Sequence, residues 1–547
     1  MSMSNKEDTM EQKSNVIIIG TGIAGLTCAL ELLRKGQTVH MIDAQNESQV
    51  GGLARWAFGG MALVGTPEQK RNGITDTPSI ALKDWYAFAN FSDQDIFPKQ
   101  WAEFYANRSY QDVYCYLKEL GITFLPAVNW VERGLFSPGN SLPRYHVIWG
   151  TSLELVKVVL NALQPFKEQQ KITFDFNCKV TELINQNGKI IGCKAQRPEQ
   201  TPKEFYGSQV VIATGGFTGN LEKVKQHWPK DWSKAPETLL NGTHPSSDGA
   251  MHDEVNRHGG QLTHMDKMWN YAAGIPHPEP HFDGHGLSLI PCKSALWLDY
   301  QGKRIGPDPL VTGFDTNYLC QRMADQEKGY AWHVLNWKIA SKEFAVSGAE
   351  HNVMIRDKKF LTFLKETVLG NHRFVKEMQD SSDHFIVADN LSELCNEMNK
   401  LAGTEDINPV VLQQTLNDYD EILARPDSQW NDDQIRHIEH ARKWKADKLR
   451  TCKPHPIQDE KHGPLIAIKV ALISRKSLGG IQTNLNSQVL DASQQPIAGL
   501  YAVGEAAGFG GGGASGARSL EGTFLSGCIL TAQQAARAIN EATQSNS

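Results

Sequence analysis

The sequence lacks the cysteine spacing typical of a disulfide framework or a zinc site. Its 547 residues include nine cysteines, an odd number, and no two of them form a C-x-x-C pair. Such a pattern is expected of reduced, mostly buried thiols in a reducing compartment. We therefore expect no disulfide, no metal ion and a cytoplasmic protein. Cys528 falls in a predicted cofactor helix, where packing and redox chemistry are both conceivable roles.

Two further absences exclude classes of partner. A formal net charge of −6 gives no general attraction to nucleic acid or to an anionic membrane. No apolar run is long enough to span a bilayer, and residues 1–13 are polar, unlike the apolar core of a secretory signal. We expect neither a nucleic-acid partner nor a transmembrane segment. A chain of this length is expected to divide into at least two domains.

What the chain does contain, close to its N-terminus, is a nucleotide-binding pattern. Four β-branched residues at 16–19 predict a strand buried on both faces. Gly20, Gly22 and Gly25 follow with G-x-G-x-x-G spacing, and apolar residues at helical spacing predict a helix over 24–34. In this pattern the glycines permit a tight turn, backbone approach to a pyrophosphate and close helix–strand packing. The helix N-terminus offers N–H groups to phosphate.

A second predicted strand, over residues 38–42, ends at Asp43. In a dinucleotide site an acid at this place, roughly 20 residues after the glycines, accepts hydrogen bonds from the adenosine ribose. Strand, glycines, helix, second strand and acid occur in the expected order. This order favours a dinucleotide site over an ordinary tight turn.

Later segments are also expected to bring backbone to the cofactor. Two glycine pairs, Gly51-Gly52 and Gly59-Gly60, bracket aromatic residues, and a predicted strand over 209–212 ends in small residues. A last predicted strand ends at Gly504-Glu505, and a final helix to about residue 540 directs its N-terminus at the cofactor ring. The predicted cofactor-binding residues are Gly20, Gly22, Ile23, Ala24, Gly25, Asp43, Ala44, Gly51, Gly52, Leu53, Ala54, Phe58, Gly59, Gly60, Val180, Ala213, Thr214, Gly215, Gly216, Gly504, Glu505, Gly522, Thr523, Phe524 and Leu525.

Three of these segments together, residues 20–25, 213–216 and 499–505, resemble the FAD-dependent flavoproteins that include fumarate reductase and 3-ketosteroid dehydrogenases. The resemblance spans nearly the whole chain. It is strengthened by residues 314–316, 475–480 and 519–525, which are similar to a bacterial group of FAD-binding dehydrogenases.

This resemblance implies an α/β fold with a Rossmann-like FAD-binding domain built from both chain ends and an inserted α+β cap domain. The boundaries we predict are 14–240 and 456–547 for the two parts of the FAD-binding domain and 241–455 for the cap, with the reaction at their interface. A retained FAD needs contacts along its whole length, which agrees with nucleotide-contacting segments at both ends. Covalent relatives carry their flavin on a histidine near the paired glycines, and none occurs over 51–60. We therefore expect non-covalent FAD.

Departures from the family limit the substrate. Fumarate reductases show His-Thr-Met-Gly-Gly where this chain has Lys476-Ser477-Leu478-Gly479-Gly480, so the dicarboxylate-binding histidine is replaced. The family's arginine in the last glycine-rich motif stands one place earlier, at Arg518. The cap-domain arginine that donates protons in fumarate reductases cannot be placed, and the ring-polarising tyrosine of ketosteroid dehydrogenases has no counterpart over 508–516. Neither named substrate is supported by these residues.

The function we predict is an FAD-dependent dehydrogenase or reductase. It would transfer a hydride between flavin N5 and a carbon adjacent to a carbonyl or carboxylate of a small molecule, on a CH–CH bond, with an unknown electron donor or acceptor. Lys476 and Arg518 are candidates for polarising that group; Tyr271, His146 and Arg144 are candidates for proton transfer or orientation. For Arg518 the alternative is pairing with Glu521 or Glu505, and for Lys476 it is exposure to solvent.

Two other functions remain open at this point. A flavin oxidase or hydroxylase of the same fold would differ only in how reduced flavin meets oxygen. A non-catalytic binding protein could reuse the fold without the chemistry.

Overall fold

The computed structural model describes residues 15–135 and 138–544. The polar segment at the N-terminus and residue 14, where the predicted FAD-binding domain begins, lie outside the described residues. Within those residues, no helix combines the length and the apolar character needed to cross a bilayer.

The strands occur throughout the chain. In chain order they are β1 (Val16–Ile19), β2 (Val39–Ile42), β3 (Gly60–Ala62), β4 (Tyr145–Val147), β5 (Ile172–Asp175), β6 (Lys179–Gln186), β7 (Lys189–Gln196), β8 (Lys203–Tyr206), β9 (Gln209–Ile212), β10 (Leu240–Asn241), β11 (Leu262–Thr263), β12 (Met268–Pro276), β13 (Gly286–Ile290), β14 (Leu296–Leu298), β15 (Tyr330–Asn336), β16 (Ala345–Val346), β17 (Phe385–Ala388), β18 (Leu465–Ser477), β19 (Gly480–Ile481), β20 (Gln488–Leu490) and β21 (Pro496–Ala502).

The helices alternate with these strands and fill much of the region 337–449. In chain order they are α1 (Ile23–Arg34), α2 (Pro67–Arg71), α3 (Pro78–Ala89), α4 (Ile96–Arg108), α5 (Tyr116–Glu119), α6 (Thr151–Glu168), α7 (Leu221–Gln226), α8 (Ala250–Arg257), α9 (Thr316–Ala324), α10 (Trp337–Glu343), α11 (Val353–Arg356), α12 (Phe360–Leu369), α13 (His372–Ser381), α14 (Leu391–Ala402), α15 (Pro409–Leu423), α16 (Asp433–Arg442), α17 (Lys445–Leu449) and α18 (Thr523–Gln544). A π-helical segment, Ser109–Cys115, joins α4 to α5.

The first sheet has nine strands and is built from both ends of the chain. Its main path runs β5-β2-β1-β9-β21-β7-β6. β1 pairs in parallel with β2 and with β9, with Val16 opposite Val39 on one side and Gln209 on the other. Because β9 also pairs in parallel with β21, the carboxyl ends of these four strands meet at one edge. The mixed α/β fold and its parallel core confirm the predicted fold class.

Apolar cores cover both faces of the first sheet. On one face α1 packs against α18, and the buried residues of α1 and α6 join the same cluster. The other face packs against side chains of β6, β7 and α8. β1 is buried throughout, which explains its run of β-branched residues.

The second sheet has eight strands in the order β14-β15-β18-β12-β13-β16, with β10 and β17 also paired to β18. Helices α9, α10 and α13–α15 contribute to its apolar core. The central strand of this sheet, β18, comes from residues 465–477, after the boundary predicted at residue 456, and that boundary stays a prediction. β18 leads the chain directly from the second sheet back to the first.

Candidate active site

A cavity of about 850 Å³ lies where the carboxyl edge of the first sheet meets the second sheet. It collects segments from both ends of the chain and from the region between them. The predicted cofactor-binding residues that line it are Gly20, Gly22, Ile23, Ala24, Asp43, Ala44, Gly51, Gly52, Leu53, Ala54, Val180, Ala213, Thr214, Gly215, Glu505, Phe524 and Leu525.

The N-terminus of α1 is shaped for a phosphate. Gly22 is its N-cap residue, and no described side chain caps the helix. A Cβ on Gly22 would have only the Ala213 carbonyl oxygen within 4 Å, at 3.9 Å, so this position faces open cavity. A Cβ on Gly20, by contrast, would lie 2.4 Å from that oxygen. Free backbone N–H groups beside open space fit a pyrophosphate, as FAD would present.

Asp43 follows β2 and is held in place by backbone contacts. Its Oδ2 accepts hydrogen bonds from the backbone N–H and the hydroxyl of Thr21, both at 2.7 Å. Its Oδ1 accepts one from the Gln45 N–H at 2.8 Å. The carboxylate therefore lies at the rim of the cavity with its orientation set, at the position where a ribose acceptor is expected.

Eight of the predicted cofactor residues do not line the cavity: Gly25, Phe58, Gly59, Gly60, Gly216, Gly504, Gly522 and Thr523. Close packing inside the protein accounts for several of these glycines. A Cβ on Gly25 would lie 2.2 Å from the Gly20 carbonyl oxygen, and one on Gly60 would lie 1.8 Å from the ring of Tyr145. A Cβ on Gly216 would meet Glu505 Oε1 at 2.3 Å. Here glycine lets protein segments approach each other.

Lys476 and its neighbour Arg475 are two cations that line the cavity close to Tyr271, and Lys476 is the one beside Phe524 at the start of α18. It lies at the end of β18, opposite Trp269 of β12. Its Nζ is 4.4 Å from the centroid of the Phe524 ring and 5.4 Å from that of Tyr271. It forms no ion pair or hydrogen bond with any residue in the described part of the chain. Burial lowers the pKa of Lys476 to about 8, although the nearby Glu521 opposes this shift.

Glu521 joins the second sheet to the segment that precedes α18. The indole Nε1 of Trp269 donates a hydrogen bond to Glu521 Oε2 at 2.7 Å, and the Tyr271 hydroxyl donates to the same oxygen at 3.1 Å. Burial, and secondarily the Glu521 charge, raise the pKa of Tyr271 well above its usual value. Tyr271 is thus a protonated donor. Neither Tyr271 nor Glu521 lines the cavity, but Tyr271 packs with Phe509 and Phe524, which do.

Arg518 is oriented differently from the sequence-based expectation. Its Nε lies 3.7 Å from Asp315 Oδ2, and its guanidinium lies over the ring of Phe88. Asp315 in turn caps α9 by accepting a hydrogen bond from the Tyr318 N–H. Arg518 does not line the cavity. This placement does not support its proposed action on a substrate; it pairs with a carboxylate, although with neither Glu521 nor Glu505.

Arg144 lies in a buried ion cluster behind the cavity wall. Its guanidinium donates two hydrogen bonds to Asp76, at 2.7 and 2.9 Å, and one to Asp84 at 2.6 Å. All of its charge is therefore directed at protein carboxylates. Arg144 does not line the cavity, so this placement does not support a direct part in catalysis.

His146, next to this cluster, is also enclosed by protein. Its Nδ1–H donates to the Arg144 carbonyl oxygen at 2.6 Å, and its Nε2 accepts from the Thr66 hydroxyl at 2.7 Å. Burial lowers the pKa of His146 to about 4. Both nitrogens are occupied and His146 does not line the cavity, so its expected proton transfer is not supported.

The sequence analysis missed a group of cavity residues from the second sheet. His277, His285 and Phe282 come from the connection between β12 and β13, and Glu350 and His351 follow β16. The sequence did contain a pattern that marks this group: His277, His281 and His285 occur one every four residues. This repeat did not enter the prediction.

Comparison with known proteins agrees with this geometry. A family model described as FAD binding domain matches residues 15–525. The chain belongs to this family. Its relatives include a KsdD-like steroid dehydrogenase of Mycobacterium tuberculosis, 37% identical over 548 residues that cover 96% of each chain. A KsdD-like steroid dehydrogenase of Mycolicibacterium smegmatis is 36% identical, covering 94% of this chain and 96% of the relative.

Two solved structures share the fold of this chain. The 3-ketosteroid delta1-dehydrogenase from Sterolibacterium denitrificans superposes with a TM-score of 0.70 at 15% identity, covering 97% of this chain and all of the other. A flavocytochrome c3 fumarate reductase in its open conformation superposes with a TM-score of 0.66 at 18% identity, covering 97% and 78%.

These comparisons confirm the predicted family, the FAD cofactor and the enzyme class: the protein is an FAD-dependent oxidoreductase. The N-terminus of α1, Asp43, residues 213–215 and the start of α18 line one cavity. That these segments hold FAD stays a prediction from the sequence.

Proposed function

We propose that this flavoprotein is a dehydrogenase that oxidises, or in reverse reduces, a CH–CH bond beside the carbonyl of a ketosteroid-like substrate. The steroid class is suggested by the similarity to KsdD-like steroid dehydrogenases over almost the full length of both chains. The observation that carries the proposal is Lys476: a cation without an anionic partner among the described residues, facing the cavity at the start of α18.

An ammonium in a cavity wall, with no carboxylate in ion-pair contact among the described residues, favours a ligand that brings an electron-rich oxygen. Burial disfavours the charged form of Lys476, as the lowering of its pKa to about 8 shows. A substrate carbonyl oxygen accepting a hydrogen bond from Nζ would relieve that cost. The same contact strengthens as negative charge develops on the carbonyl during loss of the neighbouring proton, so it stabilises the transition state more than the bound substrate.

Tyr271 and Glu521 provide a route for the proton. The high pKa of Tyr271 argues against a free tyrosinate at neutral pH. The phenol oxygen can accept the substrate proton only as its own proton passes to Glu521 Oε2, 3.1 Å away. In the reverse direction Glu521 returns the proton through the same hydroxyl.

The resulting reaction is balanced. The carbon next to the carbonyl loses a proton to the Tyr271–Glu521 pair, the following carbon loses a hydride, and a double bond forms between them. Bound FAD would supply the two-electron acceptor at N5, or the donor in the reverse reaction. The apolar walls formed by Phe509, Phe524 and Leu525 suit a substrate with a large hydrocarbon surface.

Anaerobic reduction of the bound flavin tests this proposal. A panel of saturated ketosteroids, simple ketones and short carboxylic acids is mixed with the oxidised holoenzyme, and bleaching of the flavin is followed by stopped-flow absorbance. Ketosteroids are expected to bleach the flavin, and Lys476→Met is expected to slow bleaching by about a hundredfold.

Lys469→Met is the matched control, because Lys469 lies on the same strand with its Nζ over the Tyr330 ring at 4.3 Å but does not line the cavity. That control should retain the parental rate. Bleaching by acids and not by ketones, or an unchanged rate in Lys476→Met, would contradict the proposal. Peroxide formation in air at the rate of substrate oxidation would assign an oxidase instead.

A further inference from the structure

Five side chains form a cluster at the end of the second sheet that faces the cavity. His277, His281 and His285 belong to the connection between β12 and β13, and Glu350 and His351 follow β16. β13 pairs with both β12 and β16, so these two connections lie side by side. We call these five residues the histidine cluster. None of them takes part in the proton route or the carbonyl contact described above.

The distances within the histidine cluster allow three of its residues to bind one metal ion. His277, Glu350 and His351 offer ligand atoms that all lie within 4.8 Å of one another. Glu350 Oε2 lies 3.7 Å from His277 Nε2, and two atoms that each lie about 2.0–2.2 Å from a tetrahedral cation are separated by roughly 3.3–3.6 Å. His281 does not belong to this group, but its Nε2 lies 3.4 Å from Glu350 Oε2.

One ligand atom has no protein partner. Nε2 of His351 is buried and makes no hydrogen bond within the described part of the chain. A buried polar atom is normally satisfied, so an unsatisfied one beside three other donor groups points to a missing ligand. The partly exposed ring of His281, 39% accessible, leaves a route by which an ion can enter.

The donor atoms of the cluster favour a cation over an anion. A neutral ring nitrogen of histidine is the form that binds a metal. The Glu350 carboxylate adds the negative charge that a divalent ion requires.

We propose that His277, Glu350 and His351 bind one divalent transition-metal ion of the zinc class, with His281 positioning the Glu350 carboxylate from 3.4 Å. Imidazole nitrogens with a carboxylate oxygen suit zinc, and also nickel or copper, whereas calcium and magnesium prefer oxygen ligands alone. His285 stacks on His277 with ring centroids 4.3 Å apart and holds that ring in place. The sequence-based expectation of no metal considered cysteine spacing alone.

Binding requires one local change. The Glu279 N–H donates to His277 Nδ1 at 3.0 Å, so a neutral His277 carries its proton on Nε2, the nitrogen that faces Glu350. A cation takes the place of that proton, and the Glu279 hydrogen bond opens so that Nδ1 can carry the proton instead.

The proposed ion would stabilise one wall of the cavity. It would tie residues 277–281 to residues 350–351. The edge of the His281 ring contacts the ring of Trp56, at a centroid distance of 4.5 Å, and Trp56 lines the cavity beside Leu53 and Ala54. A bound ion is therefore expected to raise the thermal stability of the protein, independently of any substrate.

The test uses the full-length, FAD-loaded protein after treatment with a chelator. Zinc(II) alone is added by equilibrium dialysis, and bound metal is measured by elemental mass spectrometry. One equivalent is expected to bind and to raise the unfolding temperature. His281→Ala and Glu350→Gln should each weaken binding at least about tenfold. His372→Ala, an exposed histidine of α13 outside the cluster, should bind as the parent does.

Retained flavin absorbance and an unchanged circular dichroism spectrum show that the variants are folded. If His281→Ala fails to fold, His351→Gln takes its place, with the same expected loss. Absence of stoichiometric binding by the parent, or equal binding by the parent and the folded His281→Ala/Glu350→Gln double variant, would overturn the site. Neither outcome depends on the substrate proposed above, because no turnover is measured.

Discussion

Tyr271 donates its phenolic hydrogen bond to Glu521 over 3.1 Å, across the junction between the second sheet and the start of α18. The two residues are 250 positions apart in the chain. Trp269 donates to the same carboxylate oxygen, so Glu521 keeps a partner when Tyr271 is changed. The pair can therefore be tested without leaving a buried charge unsatisfied.

Tyr271→Phe and Glu521→Gln should each lower kcat by about 10²–10⁴-fold while FAD stays bound, because each interrupts the same proton transfer. The double variant should be no slower than the slower single variant, since the two residues act as one unit. The rate of flavin reduction by a ketosteroid is measured in both single variants and in the double variant. Tyr300→Phe removes a similar hydrogen bond, to Glu327 at 3.0 Å, and should have no effect. If the two single losses in kcat multiply in the double variant, Tyr271 and Glu521 act independently and the shared proton route is contradicted.

The charge on Lys476 should impose a pH limit on the reaction. The lysine is protonated below its pKa of about 8 and neutral above it. Flavin reduction by substrate is therefore expected to fall as the pH rises through about 8, and this fall should be absent from the already slow Lys476→Met variant. A parental rate that rises or stays level between pH 7 and 9 in stopped-flow measurements would show that the ammonium is not needed.

The same shift predicts a difference in stability. Between about pH 8 and the usual lysine pKa of 10.5, the unfolded chain binds a proton at Lys476 that the folded protein does not. The free energy of unfolding of the parent should therefore rise across this range relative to that of Lys476→Met. Urea unfolding of both proteins at several pH values measures the difference. A difference independent of pH would contradict the lowered pKa.

Gly22 and Gly25, at the start of α1, should differ in what their replacement by valine disrupts. Gly22 faces open cavity, so Gly22→Val should abolish FAD binding and leave the stability of the apoprotein within about 0.5 kcal/mol of the parent. Gly25 faces the Gly20 carbonyl oxygen, so Gly25→Val should destabilise the apoprotein by about 1–3 kcal/mol or more. Flavin absorbance measures the FAD bound to each variant, and chemical unfolding measures the stability of each apoprotein. Stoichiometric FAD in Gly22→Val would contradict the placement of the pyrophosphate. Asp43→Ala should weaken FAD binding less than Gly22→Val does.

Arg144 should prove structural. Arg144→Met leaves Asp76 and Asp84 buried without their cation and should lower the free energy of unfolding by about 3–5 kcal/mol. Arg436→Met removes an ion pair with Asp433 in which both side chains are exposed, and it should change the free energy of unfolding by less than about 1 kcal/mol. Urea unfolding of the apoproteins provides the comparison. Unchanged stability with a selective loss of turnover would restore the catalytic part expected from the sequence.

FAD should be released on denaturation. No histidine occurs over residues 51–60, and burial raises the pKa of Cys528, which lines the cavity, to about 12, so little reactive thiolate is present. After acid precipitation the yellow colour should remain in the supernatant, as absorbance of the two fractions shows. Colour retained in the washed pellet would indicate a covalent bond to another residue.

Local features of the sequence were sufficient for the nucleotide end of the site. The buried strand at 16–19, the three glycines, the helix and Asp43 follow one another within thirty residues, and each has a backbone or periodicity requirement of its own. The structure places them as predicted, with the helix beginning at Ile23. Segments that end strands of one parallel sheet must share an edge, which is why residues 213–215 and Glu505 could also be assigned to the cavity.

The sequence by itself therefore determined the family, the cofactor and the nucleotide-binding loop, whereas only the tertiary structure decided which charged side chains face the cavity. Arg144, Arg518 and Lys476 look alike in the sequence. The first is paired with carboxylates 60 and 68 residues away and the second with Asp315, and only the third is left unpaired. The histidine cluster likewise depends on β13 pairing with β16. Periodicity reports the face on which a residue lies, but its charge partner is set by the packing of elements that are distant in the chain.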